Sequence, residues 1–234
     1  MHNFPPRTNG TAGQPPPRLL IVMEGVHDVS FLKRLSRVLH RDLAELPDLI
    51  DLEARRQVVF ISLGVEITRE GTQKFASLGL PEFHLYARKS STEQARREPL
   101  VEALQRRPNC TAFLTRKRSF ANYLHSQAVL ANAGIEVSID DECDLPQELA
   151  HRFFQASGGH GWDDMPYYRR RRHIHYARRW LGTVAVQDMT LDLLSQRDRS
   201  SEVIDWLMTI DQLVSAPSLL VSPAEAHDAS SLCV

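Results

Sequence analysis

The stretch Leu19-Leu20-Ile21-Val22-Met23-Glu24-Gly25-Val26-His27-Asp28 constrains this chain more than any other. Its apolar run lies between prolines and Gly25 and is short, so it suits a buried central strand better than a helix. Immediately afterwards Phe31, Leu32, Leu35, Val38 and Leu39 recur at helical spacing, with Lys33, Arg34 and Arg37 between them. Strand, tight turn and amphipathic helix form the opening unit of an α/β sheet. Side chains at the carboxyl end of a parallel strand face the crevice where such proteins bind ligands, and Glu24 is placed there. Gly25 lets the chain turn, and Asp28 falls at the helix start, where its carboxylate can cap amides and face the same crevice. Two carboxylates brought together in this way suit a hard cation with oxygen ligands, such as magnesium or manganese.

The pattern recurs. Residues 57–63 contain Val58, Val59, Phe60 and Ile61 and read as a second strand; 83–86 and 111–114 read as a third and a fourth. Residues 92–106 read as a polar helix with Ala95, Leu100 and Leu104 inward. Strands alternating with helices predict an α/β fold with a mostly parallel sheet, covered by helices on both faces. The expected organisation is a flexible proline-rich arm (1–17), an α/β domain (18–145), a small helical basic appendage (146–214) with helices over 147–155 and 191–214, and a flexible tail (215–234).

Composition excludes other classes. With 42% hydrophobic and 24% charged residues among 234, the chain is neither disordered nor fibrous, and no apolar run is long enough to span a bilayer. Cys110, Cys143 and Cys233 show no CxxC pairing, so no zinc ribbon or disulfide framework is expected, and a reducing cytoplasm is the expected compartment. The net charge of −1 is neutral in sum but uneven in distribution, with basic residues concentrated late in the chain.

The opening motif resembles that of TOPRIM domains, found in topoisomerases, primases and OLD-family nucleases. Two later segments extend the likeness across residues 18–145: Leu80-Pro81-Glu82-Phe83-His84-Leu85-Tyr86 followed by Arg88, and Leu114-Thr115-Arg116-Lys117-Arg118-Ser119-Phe120 followed by Asn122-Tyr123-Leu124-His125. The resemblance implies metal-dependent phosphodiester hydrolysis on DNA, with Glu24 as acid/base or ligand and Asp28 as ligand. Lys117, the best candidate, would sit on the scissile phosphate, flanked by Arg116 and Arg118 as nucleic-acid contacts. The chain departs from the family where acidic residues are expected: Ala87, Lys89 and Ala121 stand in their place. Methyl and ammonium groups cannot bind magnesium, so any ion would be weakly held. Glu66, Glu70 and Glu93 are the nearby acids that could substitute.

No GxxxxGK[ST] occurs, so any ATPase is expected on a separate partner chain, and there is neither a GxSxG elbow nor a Cys/His constellation of recognised form. Arg169, Arg170, Arg171, Arg172, Arg178 and Arg179 form the densest basic run, with Tyr167, Tyr168, Tyr176 and Trp180 interleaved. Such a run either binds nucleic acid, cations on phosphates and rings on unpaired bases, or is a solvated helix whose rings pack inward. His173 and His175, two apart, can chelate from a strand but not from one face of a helix. Three functions therefore compete: a weakened OLD-like endonuclease, a non-catalytic nucleic-acid-binding or accessory module on the same fold, and a purely structural partner in a larger assembly that docks through its helical end.

Overall fold

The computed structural model of the chain describes residues 16–64, 68, 70 and 74–216. The expected arm and tail, and Glu66, fall almost wholly outside the described residues. Four strands, β1 (Leu19–Met23), β2 (Val58–Ser62), β3 (Glu82–Tyr86) and β4 (Cys110–Leu114), form one sheet in the order β2-β1-β3-β4 with every pairing parallel. The helices are α1 (Val26–Asp42), α2 (Leu49–Ala54), α3 (Ser91–Gln105), α4 (Ser126–Ala133), α5 (Leu145–Ala156), α6 (Tyr167–Thr183), α7 (Leu191–Arg197) and α8 (Glu202–Ser215). Among the described residues no helix is long and apolar enough to cross a membrane.

The continuous apolar character of β1 follows from its place in the middle of the sheet, buried on both faces. Leu19, Ile21 and Met23 join Phe83 and Leu85 on the face covered by α1. Glu82, His84 and Tyr86 of β3 point the other way, and Tyr86 packs with Val101 and Leu104 of α3. From β1 the chain crosses to β2 on one side, then returns past β1 to β3 on the other. The direction reverses between β1 and β3, and the crevice at their carboxyl ends is the topological switch point, where open α/β sheets bind ligands.

The helices after residue 145 share the α1-face core. Leu145, Ala177, Leu181, Trp206 and Val214 belong to the same buried cluster as Leu19 and Ile21. The boundary near residue 145 is therefore a change of secondary structure within one continuous core. Trp206 sets its edge against Tyr123 at 5.3 Å and Phe120 at 6.1 Å. Helix α6 crosses α1 closely because Gly182 has no side chain: a Cβ there would come within 3.3 Å of the His27 carbonyl and 3.6 Å of Phe31.

Two local expectations are corrected. The single helix expected over 191–214 is two helices, because the buried Asp198 carboxylate accepts the Val203 amide at 2.8 Å and Ser201 takes a left-handed conformation (φ 56°). In α3 Leu100 and Leu104 pack inward as expected, joined by Arg97 and Val101, while Ala95 is exposed.

Trp206→Ala is expected to lower stability by about 3–5 kcal/mol, with urea unfolding still a single transition by both circular dichroism and fluorescence. A separate transition for the helices after residue 145 would show that they hold a core of their own.

Candidate functional site

The crevice at the switch point opens into a cleft of about 600 Å³, bounded by the start of α1, the loop after β3, the turn at Phe120–Tyr123 and one side of α6. Glu24 continues the alternation of β1, falling in step with Leu20 and Val22, and so points toward the face covered by α3. There it meets Arg97, only 1% exposed, whose Nη1 lies 2.7 Å from Oε2 and whose Nη2 lies 3.2 Å from Oε1. This is the two-pronged geometry in which guanidinium and carboxylate bind most strongly. Arg97 Nη1 also donates to the Ala87 carbonyl at 2.8 Å, joining the ends of β1 and β3 through α3.

A second cation completes the arrangement. Lys89 Nζ lies 2.5 Å from Glu24 Oε1. Lys89 holds a left-handed backbone (φ 62°), uncommon for a residue with a side chain, and its amide donates to the Arg118 carbonyl at 2.8 Å. Burial pushes the Glu24 carboxyl up, but the hydrogen bonds and charges of Arg97 and Lys89 outweigh it and hold the group below its ordinary value.

Asp28 lies at the start of α1 and accepts the Gly25 amide at 3.2 Å. Burial and then the nearby charge of Glu24 push its carboxyl up to about 6. Gly25 has an ordinary extended φ of −126°, so the turn does not call for glycine's backbone freedom; a Cβ there would come within 3.1 Å of Asp28 Oδ2 and press on that carboxylate.

These residues do not fit a divalent ion. Both Glu24 oxygens already accept from cations, burial holds the Asp28 carboxyl above its ordinary value, and the positions where the resemblance implies further acids, Ala87, Lys89 and Ala121, all line this cleft with methyl or ammonium groups. The three departures from the family pattern thus converge on one place. Glu93 also lines the cleft, but its carboxylate caps α3 by accepting from Ser90; Glu70 is exposed and lies outside the cleft lining.

The predicted basic residues separate. Lys117, expected on the phosphate, is 6% exposed, paired with Asp141 and set 5.4 Å from the Tyr123 ring centroid; it does not line the cleft. The strand end turns it inward, where its ammonium anchors the Asp141 loop. Arg116 also lies outside the cleft, its amide donating to Glu202 at 3.1 Å. Arg118 does line it, paired with Asp144 at 3.3 Å. The basic run of the sequence is helix α6. Arg171 and Arg178 face the cleft beside His175 and make no side-chain hydrogen bond or ion pair with any described residue. Arg172 and Arg179 line a neighbouring groove, and Arg169 and Arg170 line neither. His173 and His175 diverge: His173 packs against Phe154 and Trp162, and His175 sets its ring 4.6 Å from that of His27. His27 Nε2 is buried at the cleft without a hydrogen-bond partner, and burial, then the charges of His175, Arg178 and Arg179, lowers its pKa.

Arg97 escapes the sequence reading because the inward stripe expected of this polar helix runs through its apolar residues alone, Ala95, Leu100 and Leu104. Its spacing of four from Val101 and seven from Leu104 marks the inward stripe. A second group of ligand-type side chains, Glu82, His84 and Cys110, gathers within 4.8 Å on the α3 face. Hydrogen bonds account for most of it: His84 joins Glu82 at 2.6 Å and Tyr86 at 2.7 Å, and Arg107 reaches Glu82 at 2.5 Å.

Glu24→Gln leaves the buried Arg97 guanidinium uncompensated and is expected to lower stability by about 3–5 kcal/mol, whereas loss of the partly exposed Lys89 in Lys89→Met costs less than about 1 kcal/mol. Asp28 has the opposite pH signature. Its folded-state pKa lies above the ordinary 3.8, so its contribution is full below that value and is lost as pH rises through about 6. Asp28→Asn should remove that decline, with urea midpoints at pH 5 and pH 8 closer together than in the wild type; an unchanged gap would show that Asp28 is not the responsible group.

No protein-family model, curated protein or solved structure matches this chain, and its functional reading rests on the geometry of the cleft.

Proposed function

We propose that the chain is a non-catalytic nucleic-acid-binding module, resembling OLD-type TOPRIM domains, whose cleft takes a backbone phosphate where a nuclease holds metal. The observation that carries this reading is the state of Glu24: Arg97 and Lys89 occupy both of its oxygens. A divalent ion at this carboxylate would have to displace two fixed cations or sit against them, and unit charges about 4 Å apart interact by about 4 kcal/mol near a protein surface.

The same neutralisation favours an anion. Glu24 is cancelled by its partners, burial disfavours the charged form of Asp28, and Arg118 shares Asp144. Arg171 and Arg178 stand on the wall of a concave site without a hydrogen bond or ion pair to a described side chain, Arg178 within electrostatic reach of Asp28, and the orphaned His27 nitrogen lies beside them. A phosphodiester supplies the missing acceptors. Because these contacts read the backbone, they would give affinity with little sequence preference.

Fluorescence anisotropy with a labelled DNA oligonucleotide in EDTA tests the proposal. Arg171→Ala with Arg178→Ala is expected to weaken binding by about tenfold or more and to reduce the slope of log affinity against log salt by about two. Supercoiled plasmid should remain uncut in magnesium or manganese. Metal-dependent nicking that disappears in Glu24→Ala would overturn the reading in favour of a working endonuclease. Joint replacement by Ala87→Asp, Lys89→Asp and Ala121→Glu is expected to raise magnesium affinity by rebuilding the acidic cluster.

A further inference from the structure

We propose that the outward face of α6 is a stacking track for single-stranded nucleic acid that feeds the cleft; this rests on the reading that the cleft takes a backbone phosphate. The helix divides its residues sharply. Ala177, Leu181 and Gly182 are buried toward α1, while Tyr167, Tyr168 and Tyr176 are 72%, 61% and 52% exposed. The alternative in which the tyrosines pack inward does not hold.

Their spacing makes a surface. Tyr168, Arg172 and Tyr176 form one i, i+4 row, and Tyr167, Arg171 and His175 form the row beside it, together lining a groove of about 630 Å³. Tyr168 and Tyr176 are eight residues apart, about 12 Å along the helix axis, which is roughly three to four base steps at about 3.4 Å each. Tyr176 is held from below by an edge contact to Phe153 at 6.1 Å, itself edge-on to Trp180 at 5.3 Å. A ring fixed in this way offers a face at small entropic cost.

The chemistry of the groove selects its occupant. It is lined by rings and cations, the pairing that suits bases and phosphates together, with no leucine, isoleucine or valine side chain. Arg172 and Arg179 make no side-chain hydrogen bond or ion pair with described residues and are free to take phosphates. Stacking on tyrosine needs an unpaired base, since a duplex encloses its base faces. Arg171 and His175 line both the groove and the cleft, which makes the two surfaces continuous. A strand stacked along α6 therefore passes its backbone to Arg178 and the cleft.

The test compares a labelled oligothymidylate of about 12 nucleotides with a duplex of the same length, using the full chain. The wild type is expected to bind the single strand more tightly. Tyr168→Ser with Tyr176→Ser keeps every arginine and should weaken single-strand binding by roughly fivefold or more per tyrosine, at about 1–3 kcal/mol per stacked base, with duplex affinity unchanged. Quenching of tyrosine emission by the strand should fall in parallel. Thermal unfolding checks that these exposed positions leave the fold intact. Equal affinity for single strand and duplex, or an unaffected tyrosine variant, overturns the track. Arg178→Ala, which touches the cleft and not the groove, separates the two proposals: if it weakens binding while the tyrosine variant does not, the cleft reading stands and the track falls; the reverse pattern overturns the cleft reading and, with it, the claim that the track feeds the cleft.

Discussion

The pair formed by Glu24 and Arg97 is the constraint from which the rest of the site follows. A guanidinium buried to this degree on the α3 face must have a partner, and the strand end supplies one. Because Arg97 also holds the Ala87 carbonyl, the pair ties the ends of β1 and β3 together at the place where the sheet reverses direction. It keeps Glu24 ionised, and that fixed charge in turn helps to hold Asp28 toward its protonated form. The cleft thus has little net negative charge of its own, and the arginines of α6 set its character.

How much of this could be read from the sequence depended on whether the signal was local. The order strand, turn, helix at 19–42 and the four strands of the sheet were legible, because β-branched runs and helical spacing act over a few residues. Glu24 and Asp28 come together as expected for the same reason. Arg97 was hidden because its partner lies 73 residues away, and a charged residue on a polar helix gives no hint of burial. Lys117 misled in the opposite sense. A lysine in a basic turn reads as a phosphate ligand, but burial and Asp141 retain it. The α6 arginines were visible as a charge run, yet only the packing of α6 across α1 shows which of them reach the cleft.

The third segment of the family resemblance has a structural use that its spacing did not suggest. Asn122 is fully buried and donates to the carbonyls of Asp140 and Cys143 at 2.9 and 3.0 Å, while Tyr123 donates its hydroxyl to Glu202. The turn therefore braces one loop and one distant helix at once. Its neighbour Ala121 lines the cleft, so a segment that looks like active-site sequence is divided between framework and wall.

The backbone at residue 89 has a consequence for how readily such a site can change its chemistry. Its left-handed pose is fixed by a main-chain bond to Arg118, which any residue except proline can make. The loop thus delivers position 89 to the mouth of the sheet whatever side chain it carries, and aspartate or asparagine would occupy that pose with less strain than lysine does. A scaffold of this kind can exchange an ammonium for a carboxylate, and an anion site for a cation site, without rebuilding its architecture.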